Sequence, residues 1–266
     1  MKQRRVLIIT LLALLLTIGI PTGFLMREFQ REQASRDLIT AIKADDIPSA
    51  LSTLKHGALP NTRDGLDNSP LSFREQMRHL LDKIFQPNVK TPQSNHRPTA
   101  LLLSLETNKQ ANPLLIKALL NAGASPDLTG EKDEITPIMK AVVGNSPQIL
   151  QLLLQQGGNP RLLDREGWTA LHYAAICNNV EDIVQLIDAG ADIEAEDKDG
   201  LTPLMRAYRE DKPEALQVLL EHHANPNPLD ASGNTPLDQA LEAEEAEPHS
   251  KERIIALLRK AGAKTG

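Results

Sequence analysis

The chain has 266 residues, 41% of them hydrophobic and 24% charged, with a formal net charge of -6. Aromatics make up only 3%, so the core must be built from Leu, Ile, Val and Ala, which favours close-packed helices over an aromatic-rich β-sandwich. The single cysteine, Cys177, excludes an intramolecular disulfide and a multi-cysteine zinc or iron–sulfur site.

Lys2, Arg4 and Arg5 open the chain, and the body that follows is more acidic than the whole. An acidic body argues against nucleic acid as a partner. Residues 6–20 carry no charge, and apolar character resumes before Met26. As a helix, residues 6–26 would extend roughly 32 Å at ~1.5 Å per residue, enough for a bilayer core of ~30 Å. Residues 1–26 are therefore expected to form an uncleaved signal anchor, a single transmembrane helix. The alternative is a cleaved signal leaving a soluble periplasmic protein, but no A-x-A site follows the apolar stretch. The basic residues ahead of that stretch favour a cytoplasmic N-terminus. In a bacterium, that places a single-pass protein in the inner membrane with its C-terminal domain in the periplasm. Residues 27–36 read as a linker, and 37–266 as the folded body.

The body is periodic. Thr136-Pro137-Ile138-Met139, Thr169-Ala170-Leu171-His172, Thr202-Pro203-Leu204-Met205 and Thr235-Pro236-Leu237-Asp238 recur with threonines 33 residues apart. Five residues after each threonine stands Ala141, Ala174, Ala207 or Ala240. Five before stands Glu131, Asp164, Asp197 or Asp230. Threonine suits a helix N-cap, and proline suits the first helical position. The alanine keeps one helix thin enough for close stacking. Leu/Ile runs form a second helix, stopped by Gly57, Gly123, Gly157, Gly190 or Gly262 at positive φ. Asp and Gly ahead of the next threonine predict a hairpin-like turn.

These motifs resemble the ankyrin repeat, above all in residues 164–196. The resemblance implies an all-α solenoid of stacked helix-turn-helix units, and the spacing predicts about seven. Arg36 to Arg63 forms a capping half-unit. The second unit is distorted: Arg74 replaces the small residue and residues 86–98 hold three prolines. Extra length is expected around residues 109–113 and 244–250.

No Gly-rich phosphate loop, G-x-S-x-G or H-E-x-x-H occurs, so no catalytic residue, cofactor, metal or small-molecule substrate is expected. A hydrolase would need Ser94, His96 and Glu75, which lack any recognised spacing. His222-His223 lacks further ligands at helical spacing. By the resemblance, His172 braces adjacent turns, and binding uses the turn tips and the concave face of the inner helices. That maps a protein partner onto Lys132, Asp133, Ile135, Arg165, Glu166, Trp168, Lys198, Asp199 and Leu201 at the tips. In the groove it maps to Ile176, Cys177, Arg209 and Glu210, with Val143 beside them. Trp168 next to Arg165 has the composition of a binding hot spot, yet equally suits packing on a neighbouring turn. The resulting expectation is a non-catalytic interaction module held at the membrane, a scaffold or accessory factor. A neutralising partner of an exported toxin is the alternative.

Overall fold

Proline at a first helical position gives up no hydrogen bond and arrives with helical φ. Thr at the cap satisfies an amide that the first turn leaves open. The computed structural model describes residues 22–62, 98–106, 111–129, 133–230, 232–242 and 248–265. Among them are α1 (Thr22–Lys43), α2 (Ile47–Lys55), α3 (Ala100–Glu106), α4 (Pro113–Asn121), α5 (Pro137–Val143) and α6 (Pro147–Gln155). Then follow α7 (Ala170–Cys177), α8 (Val180–Asp188), α9 (Pro203–Arg209), α10 (Pro213–Glu221), α11 (Pro236–Glu242) and α12 (Pro248–Lys260). The inner helices behave as the motif demands: Thr136 Oγ1 accepts from the Met139 amide at 3.2 Å, and Thr202 Oγ1 from that of Met205 at 3.4 Å.

The helices pair in chain order, an inner one followed by an outer one, and the pairs stack. Inner α5 packs on α3 and α7, and α7 on α9; outer α8 packs on α6 and α10. The recurrent alanines lie between inner helices, with Ala174 and Ala207 at 0% exposure. Outer helices end at the expected glycines, whose φ lies between 82° and 95°. His223 takes the same left-handed turn at φ 67° without being glycine.

Between pairs the chain makes a finger. Asp164 Oδ1 accepts from the amides of Glu166 and Trp168 at 2.9 and 2.8 Å. Asp197 does the same for Asp199 and Leu201, and Asp230 for Ser232 and Asn234. This is why an acidic residue recurs five positions ahead of the threonine. Neighbouring fingers join through single backbone bonds, Arg165 N–H to Asp133 O at 2.9 Å and Lys198 N–H to Glu166 O at 3.2 Å. Gly167 sits at that approach with φ 79°, and a Cβ there would lie 3.0 Å from Lys198 N. Behind the fingers a second ladder links the loops: Asn61 Oδ1 accepts from Ser125 N–H, Asp127 Oδ1 from Asn159 N–H, and Glu194 Oε1 from Asn225 N–H.

One expectation is corrected. Residues 27–36 are not a separate linker but part of α1, whose later turns bury Ala34, Leu38, Ile39, Ala41 and Ile42 in the core. Among the described residues, the capping pair packs directly on the pair beginning at Thr99. α1 packs on α3, α2 packs on α4, and Ala100 N–H donates to Thr62 O at 2.9 Å. The described residues form six pairs. Residues 63–97, with the expected distorted unit, lie outside the described residues, as does the apolar stretch 6–20. No described helix is long and apolar enough to cross a membrane.

Candidate protein-binding face

The side chain nine residues after each finger aspartate ties the finger to its own inner helix. Tyr173 Oη donates to Asp164 Oδ2 at 2.6 Å, Arg206 Nε to Asp197 Oδ2 at 2.6 Å, and Gln239 Nε2 to Asp230 Oδ2 at 2.5 Å. Burial, together with the Asp164 bond, raises the Tyr173 phenol well above its usual range, keeping it a donor. Arg206 also pairs with Asp199 at 2.6 Å. Fully buried His172 links two pairs: Nδ1 accepts from Thr169 N–H at 3.1 Å, and Nε2–H donates to Leu201 O at 3.0 Å. Burial lowers its pKa, so the imidazole is held neutral.

A rigid comb results, with fingers in a row and inner helices behind them. Arg165, Glu166, Lys198 and Asp199 are exposed at the tips, as is Asp133. Behind them lie half-buried Ile176, exposed Cys177, Arg209 and Glu210, and Val143 at 54% exposure. Arg209 reaches Asp230 at 3.8 Å. Ile135 is half-buried against the core, and Lys132 lies outside the described residues. Partial desolvation and the nearby Asp182 charge push the Cys177 thiol up in pKa, which leaves little reactive thiolate.

This arrangement of finger, inner helix, outer helix and glycine stop recurs in sequences described as "Ankyrin repeats (3 copies)", which this chain matches over residues 105–197 and 177–265. The chain belongs to the ankyrin-repeat family. An ankyrin repeat domain from Acinetobacter baumannii AYE superposes with a TM-score of 0.65 at 25% identity, covering 85% of this chain and 98% of that one. SH3 and multiple ankyrin repeat domains protein 2 of Homo sapiens is 30% identical over 116 residues, 44% of this chain and 6% of that protein. Phosphocholine transferase AnkX of Legionella pneumophila is 39% identical over 59 residues, 22% of this chain and 6% of the enzyme. The chain thus spans a small fraction of both curated relatives. The ankyrin fold is generally a non-catalytic interaction scaffold.

Two tip residues change role within this ankyrin comb. Leu201 is 1% exposed, so its side chain belongs to the core and leaves the contact surface. Trp168, open between two roles from sequence, is a packing residue: its ring lies 5.1 Å from that of Tyr173, and the Arg206 guanidinium sits 4.7 Å from its centroid. Arg206 went unnoticed in the sequence; its position nine residues after Asp197 was the available signal. Trp168→Ala should therefore lower stability by about 2 kcal/mol, from lost packing and a lost cation–π contact. A chemical-denaturation midpoint equal to that of the parent would return Trp168 to the contact surface.

Proposed function

We propose that this protein is a non-catalytic protein-binding module, a scaffold or accessory factor whose ankyrin comb engages a protein partner across its fingers and concave groove. The apolar residues 6–26 hold it in the inner membrane as a single pass, with the repeat domain in the periplasm. The reading rests on the uncharged stretch behind a basic start, and on one observation of the comb. Arg165, Glu166 and Lys198 stand in a row with side chains that bond to no described residue, while apolar Val143 and Ile176 lie behind them. Charges of both signs around an apolar strip fit a protein surface, with the strip desolvated and the charges setting register. A toxin-neutralising partner would use the same interface, and the identity of the captured protein distinguishes the two roles.

The test is capture of partners by the tagged full-length protein from solubilised membranes. Arg165→Glu combined with Lys198→Glu should reduce capture of the principal partner at least about tenfold, since opposed like charges at a contact cost several kcal/mol. The melting temperature should stay within about 2 °C of the parent, because both side chains are exposed. Undiminished capture would move the contact off the fingers. Release of the full-length chain by carbonate washing would remove the membrane anchor from the proposal.

A further inference from the structure

Two buried acceptors beside the joint between the α5–α6 and α7–α8 pairs have no donor among the described residues. Asp182 is 1% exposed, and its Oδ1 finds no hydrogen-bond partner; neither does Gln185 Oε1. They are three residues apart on α8 and so neighbours on its surface. Asp182 Oδ2 accepts from Asn179 Nδ2 at 3.3 Å, and the same amide donates to Val142 O of the preceding pair at 2.9 Å. Asn178, in the left-handed region at φ 58°, reaches the opposite way: its Oδ1 accepts from Ala215 N–H and its Nδ2 donates to Glu214, both at 2.9 Å. Asn178 and Asn179 therefore clamp three pairs together, with Asp182 against the clamp.

Among the described residues, no cation forms an ion pair with Asp182. Helix α6, packed on α8, has no ionisable residue. From α7 comes Cys177, while His172 and Tyr173 are engaged by Leu201 and Asp164. From α10 and its cap come Lys212, Glu214 and Glu221, and α8 itself adds Glu181 and Asp188. Lys212 is the sole cation of that set and forms no ion pair with Asp182. A carboxylate here would be a desolvated anion with one weak donor and a like-charged neighbour. One proton on the carboxyl would remove the unsatisfied anion.

We infer that the folded protein binds a proton at the buried Asp182 carboxyl, and that loss of this proton weakens the clamp, making the joint a pH-responsive element that tightens in mild acid. Desolvation by burial, opposed by the Asn179 bond and aided by Glu181, raises this carboxyl from 3.8 to about 6. The sign follows: the folded state binds the proton more tightly than the unfolded chain, so this contribution is full below 3.8 and is lost as pH rises through about 6. His172 acts oppositely, since its lowered pKa costs stability as pH falls below 6.5. A comparison with Asp182→Asn at each pH cancels the His172 contribution.

The experiment is urea unfolding of the full-length chain in detergent at pH 5, 6, 7 and 8, parent against Asp182→Asn, alongside a carboxyl-carbon NMR titration of Asp182 in the parent. The unfolding constant of the parent, relative to the variant, should rise about tenfold between pH 5 and pH 7. The Asp182 carboxyl should titrate near the value given above. A ratio independent of pH overturns the inference, and so does a midpoint below about 5, the range of an ordinary carboxyl. If the variant does not fold, the carboxyl titration alone decides.

Discussion

Replacing Ala174 with arginine should collapse the middle of the stack. Ala174 is 0% exposed on α7, an inner helix packed on both sides by α5 and α9. Overpacking alone costs about 1–3 kcal/mol, and a guanidinium without a partner in that seam adds several more. The melting temperature should fall by at least ~10 °C, with partial loss of helical circular dichroism. Each pair touches only its neighbours, so the terminal pairs should keep some helix when the centre opens. A melt within about 2 °C of the parent would show that Ala174 does not face the seam.

Asp197→Ala should come next in severity, for a different reason. One oxygen of Asp197 holds the Asp199 and Leu201 amides, and the other holds Arg206, whose guanidinium also covers Trp168. Truncation leaves two amides without an acceptor and a partly buried cation with only exposed Asp199 beside it. About 3–5 kcal/mol should be lost. Asp197→Asn retains an acceptor for the amides and should lose distinctly less. Equal losses in urea denaturation would mean that the charge on Arg206, rather than the turn, is what Asp197 serves.

The repeat was legible because each unit spends the same residues on the same local problem. Thr169 caps, Ala174 thins the helix, Gly190 reverses the chain and Asp164 folds the finger. Such roles act within a few residues, so spacing alone exposes them. What eluded the sequence depends on neighbours across the stack. Leu201 looked like any tip residue until its burial beside His172 was visible. Trp168 became a packing residue once Tyr173 and, from the next unit, Arg206 were seen against its ring. At the left-handed inner-helix turns, Asn145, Asn178 and Asp211 share the 33-residue spacing, a signal present in the sequence but overshadowed by the glycines.

The uninterrupted helix α1 has a mechanical consequence. Its 22 residues form a shaft roughly 33 Å long whose far end is embedded in the core. Under the proposed anchoring, it offers no swivel between Thr22 and the pair of which it is the first helix. A tilt imposed at Thr22 is therefore handed to the comb as a rotation of the whole body, and the fingers sweep an arc set by the shaft. Two glycines inserted near Arg27 would turn that fixed bearing into a tether.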